Sequence, residues 1–260
     1  MKQRKTLLLL AVISLLIANR SEAQPIIISQ SQVEAVFSPG NTVRLFMDST
    51  SQPVNVGGTG GPHIYDFRHL PFFPYDSVTM FSVTQIPQLA TRFPSNAITS
   101  NEEANTVYPV FAFSNHSFNR LGRARIVSDT TEWFQHIIPP DEWLRFPVTF
   151  STQFSQTNIV TVDTTYVNGI PTETSADTSS GMAYVDGYGT LLLPGGLALK
   201  CLRIRLVASS PKTSKEFHFL TREGAVILID SDQSQPDTGV VKRGYVIYFS
   251  PQTPDPGTSN

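Results

Sequence analysis

Charge is scarce in this chain of 260 residues: only 15% are Asp, Glu, Lys or Arg, against about a quarter in ordinary domains. That excludes a long, charge-laced coiled coil and a charge-driven disordered chain. Excess basic charge is missing too, the formal net charge being −2, so no cationic surface holds nucleic acid. There is one cysteine, Cys201. No intramolecular disulfide can form, and the fold must rest on a hydrophobic core. After the first segment no run of about 18 apolar residues occurs, so no transmembrane segment is expected once that segment is removed. Long amphipathic helical patterns and fixed-period repeats are also absent, and the 19 prolines break long helices.

What remains is 40% apolar residues with 16 glycines and 52 Ser and Thr, the make-up of a neutral β-rich globular protein. Lys2, Arg4 and Lys5 precede an apolar run from Thr6 to Ala18 that Arg20 closes. Ser21-Glu22-Ala23 puts small residues three and one places before a cut. Residues 1–23 therefore read as a signal peptide cleaved after Ala23, and the run is too short for a comfortable membrane span. Cleavage removes four cations (Lys2, Arg4, Lys5, Arg20) and one anion (Glu22) from 19 and 21, leaving 15 against 20 and a net charge of −5. The expected location is outside the cytoplasm: periplasm, cell surface or extracellular space.

Period-2 alternation of β-branched and aromatic residues recurs along the mature chain. Strands are expected at Val43–Met47, Ser77–Val83, Arg123–Ser128, Glu132–Ile137, Thr157–Val167, Gly181–Asp186, Thr190–Leu193, Leu199–Val207, Lys215–Leu220, Ala225–Asp230 and Val240–Phe249. In Leu199–Val207, Leu202, Ile204 and Leu206 share one face and Cys201, Arg203 and Arg205 the other. Asn168-Gly169 is a strong hairpin signal, because both central residues of a type I′ turn need positive φ. Ile98–Ala104 is expected as a short helical turn, inside a Pro/Asn/Ser-rich break at Gln85–Asn105. The domain reading is one β-rich unit over 24–250 with residues 24–70 packed on its edge, then a disordered tail at 251–260. The fold expectation is all-β: an antiparallel two-layer sandwich or a strongly curved half-open barrel.

No constellation compels a catalytic assignment, and no cofactor is expected. His63, Asp66 and His69 offer imidazole and carboxylate for a divalent metal, but a strand turns position 66 away from 63 and 69. Asp230, Asp232 and Asp237 offer oxygen ligands for calcium. An EF-hand needs Gly at its sixth place and Glu at its twelfth, where this loop has Gln235 and Val241; Asx turns in a hairpin connection explain the aspartates better. Gly57-Gly-Thr-Gly-Gly61 lacks the Lys and Ser/Thr of a phosphate loop and reads as a tight β-connection. Cys201 has no neighbour to activate it and reads as a structural strand residue. Glu132 and Asp141, near Trp133 and Trp143, form a carboxylate–aromatic pair of the kind suited to sugar.

Two stretches carry a resemblance. Val54-Asn-Val-Gly57-Gly-Thr-Gly60-Gly-Pro-His-Ile-Tyr65-Asp66-Phe67-Arg-His-Leu70 is the first. The second is Val185-Asp186-Gly187-Tyr188-Gly189-Thr190-Leu-Leu-Leu-Pro194-Gly195-Gly196, continuing to Cys201-Leu202-Arg203-Ile204-Arg205. Together they resemble uncharacterised secreted all-β proteins of the Bacteroidota and related phyla, a kind that often carries a type IX sorting domain, which these 260 residues do not include. The resemblance implies secretion and an all-β fold, and carries no catalytic residue. The strand–turn–strand of the second stretch is also similar to one in periplasmic half-barrels that carry lipoproteins. The functional expectation is an exported, non-catalytic binding or scaffold module of the cell envelope or surface, partnered by an envelope protein, a glycan or an apolar ligand. The alternatives are a carrier of an apolar or lipid-like ligand, and a glycan or ester hydrolase.

Overall fold

The alternating segments join into one continuous ring. The computed structural model describes residues 24–50, 52–102, 106–128, 130–209 and 214–250; the expected signal peptide and C-terminal tail lie outside the described residues. The strands are β1 (Thr42–Asp48), β2 (Val54–Asn55), β3 (Gly60–Asp66), β4 (Phe73–Ser82), β5 (Ile98–Ser100), β6 (Val107–Phe113), β7 (Ser117–Ser128) and β8 (Thr131–Arg145). They continue with β9 (Gln153–Val167), β10 (Ile170–Leu192), β11 (Ala198–Ser209), β12 (Ser214–Thr221), β13 (Val226–Asp232), β14 (Val240–Val241) and β15 (Arg243–Ser250). Of two short helices, α1 (Gln30–Phe37) precedes β1 and α2 (Pro87–Ala90) lies between β4 and β5.

Around the ring the order is β11, β12, β13, β15, β1, β4, β5, β6, β7, β8, β9, β10, and β10 pairs back onto β11. This is a closed, 12-stranded antiparallel barrel. The sandwich expectation is corrected, and the strongly curved barrel is the alternative that fits. The reason lies in β10, which runs for 23 residues. Its first part pairs with β9 and its second with β11, from Ser180↔Ser209 to Leu192↔Ala198, and so brings the sheet round to its own start. Register shifts in β1, β6, β7, β10 and β13 add the bends that closure needs. Asn168 (φ 52°) and Gly169 (φ 75°) make the expected turn between β9 and β10.

Alternation sorts side chains to the two sides of this wall. Inward lie two apolar clusters to which all twelve ring strands contribute, the larger including Phe111, Phe118, Phe154, Val185, Leu202 and Ile204, the smaller Val43, Leu45 and Val78. Each such large side chain, once buried, contributes about 1.5–3 kcal/mol. Helix α1 joins the clusters: Val33 and Phe37 pack in the larger and Val36 against the smaller, with Phe37 4.7 Å from Phe118 between ring centroids. Its other side, with Ser31 and Ala35, is exposed, so α1 stoppers the interior. Ser29 and Gln32 form a reciprocal capping box at its start, which supplies about 1 kcal/mol.

Outward, two further clusters are covered by the chain itself. Residues 54–72 lie over the outer face of β11, β12, β13, β15 and β1, with Tyr65, Phe67 and Leu70 against Phe217, Phe219 and Ile227. Residues 83–97, including α2, cover β6–β8, with Leu89 and Phe93 near Ala124 and Phe134. The segment 24–70, expected on the edge of the domain, is instead threaded through it: α1 inside, β1 within the ring, 54–70 outside. Ile98–Ser100, expected as a helical turn, is a buried strand between β4 and β6; neighbours on both sides offered it more hydrogen bonds than one isolated turn.

Strand β3 runs parallel to the second part of β10, with Gly189 opposite His63. A methyl group on Gly189 would overlap the His63 carbonyl, and backbone cannot rotate out of the way as a side chain can. Gly189→Ala is expected to detach β3, at about 2–3 kcal/mol of overpacking cost. Hydrogen exchange of the amides of residues 60–66 checks this; unaltered protection there would refute it.

Candidate functional site

On the outer side of β11 the sequence alternation places Arg203 and Arg205, while Leu202, Ile204 and Leu206 point inward. The register shift at Val185/Gly187 in β10 brings Asp186 to meet them. Its Oδ1 accepts from Arg203 Nε at 2.8 Å, and its Oδ2 from Arg203 Nη2 at 3.0 Å and Arg205 Nε at 2.9 Å. Such forked pairing fixes direction as well as charge. Arg203 is fully buried because residues 54–72 and the loop after β13 close over it. Its Nη1 donates to the Val56 carbonyl at 2.9 Å and its Nη2 to the Asp237 carbonyl at 2.9 Å, with the Phe217 ring 5.3 Å away.

The loop itself is tied down by Lys215, whose Nζ donates to Asp237 Oδ1 at 2.6 Å and to the Gln235 carbonyl. Arg205 Nη1 stands 3.3 Å from Asp237 Oδ2. The hydrogen bond from Lys215 outweighs burial and holds the Asp237 carboxyl below the usual carboxylate range, helped by the charges of Arg205 and Arg203. Beside this network opens a groove of about 420 Å³. Met182, Tyr184 and Val207 give it apolar surface, and Arg205, Lys215, Gln233, Thr157 and Asp237 give it polar groups. Arg205 lies over the Tyr184 ring, 4.5 Å from its centroid. The network joins three cations to two carboxylates, and of these Arg205, Lys215 and Asp237 line the groove. Every charge is fixed by a partner, so the groove suits electrostatic recognition better than proton transfer, which needs a group titrating near the working pH.

A second polar group lies on the inner face. Glu216 on β12 sits opposite Asp230 on β13. Glu216 pairs with His218 at 2.8 Å, and Arg120 Nη2 donates to Asp141 Oδ2 at 2.8 Å. Burial pushes the Asp141 carboxyl up despite Arg120. Burial also pushes Glu216 up, but the hydrogen bond and charge of His218, with Arg120, reverse this and leave it low. Asp230 is raised by burial and then by the charge of Glu216, and burial beside the same two carboxylates pushes Tyr245 up to about 12. A carboxyl raised in the folded state is penalised once ionised and carries no penalty below its unfolded value, about 3.9. Asp230→Asn is therefore expected to stabilise the protein at pH 7, with the gain vanishing below about pH 4. Thermal unfolding at both pH values measures it; destabilisation at pH 7 is the contrary result.

The structure separates the residues the sequence grouped. His63 faces the Thr59 carbonyl (3.1 Å) on β3, Asp66 pairs with Arg68 at 2.6 Å, and His69 is exposed in the turn beyond. The hydrogen bond from Arg68 draws the Asp66 carboxyl down to about 2. Asp230 lies on the inner face, Asp232 caps an Asx turn at the Ser234 amide (2.8 Å), and Asp237 joins the outer network. Among the described residues no three His, Cys, Asp or Glu side chains are placed to hold a metal ion. Cys201 is buried among outer-cluster side chains, and burial pushes its thiol up to about 12. Trp143 packs on Phe111 (5.0 Å) inside, Trp133 lines a separate depression with Arg123 and Arg125, and Glu132 stands near the far end of the strand from Asp141. Sequence reasoning missed the Asp186–Arg203–Arg205 constellation, although a lone Asp between apolar residues and glycine, with two arginines alternating on the next strand, was a readable signal. Searches against protein-family models, curated proteins and solved structures return no match to this chain.

Proposed function

We propose that this is an exported, non-catalytic binding module of the cell envelope or surface, and that the groove beside Tyr184, Arg205 and Lys215 takes an acidic glycan. The observation carrying the reading is that cations, an aromatic face and hydrogen-bonding side chains converge on an open depression. Planar apolar surface with a few placed polar groups is the usual composition of a ligand site. The apolar-carrier alternative is less favoured because α1 and the inner aromatic side chains occupy the interior that such a ligand would need. A working place in water is supported by the outer wall, where residues 54–72 and 83–97 cover faces that a lipid-embedded barrel would turn to acyl chains.

Titrating the mature chain with polygalacturonate and with a neutral glucan tests the reading. Preferential binding of the uronate polymer is expected, weakening as salt rises, with about a tenfold loss in Tyr184→Ala. Equal affinity for the neutral glucan would sink it.

A further inference from the structure

The first part of β10 has a partner on one side only. Residues 170–179 pair with β9, and pairing with β11 starts at Ser180. Among the described residues no strand pairs with the other side. Residues 170–178 are exposed on both faces, which leaves a run of extended backbone donors and acceptors open to solvent. An edge of this kind is a template for strand addition.

We propose that this edge receives an extended, basic segment of another protein. Glu173 and Asp177 lie four residues apart on one face of the edge, and Asp163 on β9 stands opposite Ser175 between them. Asp163 accepts a hydrogen bond from Gln135 at 3.1 Å; cross-strand neighbours of Glu173 and Asp177 are Thr165 and Thr161, which bring no positive charge. An added strand sets its own side chains directly opposite these carboxylates, where unlike charges attract and like charges repel. Lysines or arginines four places apart therefore match the edge. A second copy of this chain is disfavoured in the register centred on Ser175, where antiparallel pairing would set Glu173 against Asp177 at both ends. Pro171 and the two carboxylates serve as the usual guards against such self-pairing, and they leave a basic strand as the admitted guest.

The test uses the full mature chain and two end-capped nine-residue peptides of alternating Val and Thr, one with lysines at the third and seventh places and one with glutamates there. The lysine peptide is expected to bind at or below about 1 mM and to protect the amides of residues 170–179 from hydrogen exchange, while the glutamate peptide binds about tenfold more weakly. The exposed double variant Glu173→Lys/Asp177→Lys is expected to reverse that preference. No binding of the lysine peptide at 1 mM, a preference unchanged in the variant, protection elsewhere than 170–179, or self-association of the chain through this edge would each overturn the proposal.

Discussion

Replacing Arg203 with methionine is expected to cost about 3–5 kcal/mol of stability. The guanidinium is fully buried and joins three separate parts of the chain: Asp186 on β10, the Val56 carbonyl before β3, and the Asp237 carbonyl in the loop after β13. Methionine fills much of the same volume and can lie on Phe217. It leaves two carbonyls with no donor, and it leaves Asp186 with Arg205 alone. The penalty comes from those orphaned groups, not from loss of an attractive pair, because a buried pair and an apolar replacement of equal volume are often near parity. The double variant Arg203→Met/Asp186→Leu is accordingly expected to recover part of the loss. Urea unfolding of the single and double variants measures it. A cost under about 1 kcal/mol for the single variant would place Arg203 in the range of surface ion pairs and contradict the role assigned to it.

The second large effect is expected at Asp48 and Arg243, both fully buried. Arg243 Nη2 meets Asp48 Oδ2 at 2.5 Å and Thr50 Oγ1 at 3.0 Å, and Nη1 meets the Asp48 carbonyl at 3.0 Å. Asp48 ends β1 and Arg243 begins β15, so the pair locks the junction between the first and last strands of the ring. Arg243→Met is expected to cost about 3–5 kcal/mol, because the Asp48 carboxylate is then left with only Thr50 to solvate it. Asp48→Leu combined with Arg243→Met is expected to be milder than Arg243→Met alone. If the double variant is the worse of the two, the pair is net stabilising and the desolvation argument fails. Arg243 Nε already lacks a partner, which is a standing cost that the apolar pair removes.

Local rules reach some parts of this architecture and not others. The Asn168-Gly169 turn could be read directly, since it depends on neighbours in sequence, whereas Val240–Phe249, expected as one strand, is split at Lys242 into β14, which pairs with β2, and β15 in the ring. Gly187 and Gly189 read as punctuation between two short strands, yet they lie within β10, because β3 approaches there too closely for any side chain. Pro109, Pro139, Pro140 and Pro171 lie within β6, β8 and β10, where a strand ladder loses a donor at each. Helix α1 is 8 residues long, too short for a periodicity count to register, although Ser29 and Gln32 carried its capping signal. Arg203 was placed on the right side of its strand. Its burial depends on Val56, 147 residues earlier, and no local pattern conveys that. For the same reason the aspartates of the 230–237 loop could be noticed but not separated into an inner carboxylate, a turn cap and an outer tether.

Consider last the adjacency of β1 and β15, in register from Arg44↔Ser250 to Asp48↔Val246. The barrel needs its opening and final strands side by side, so a chain emerging from a ribosome or an export pore holds an incomplete cylinder until residue 250 is free. Contacts of such sequence separation are slow to form, and the unpaired rim is exposed to association while they do. Closure of the ring is thus tied to release of the chain as far as Ser250, and removal of β15 would leave β1 and β13 as raw borders of an opened sheet.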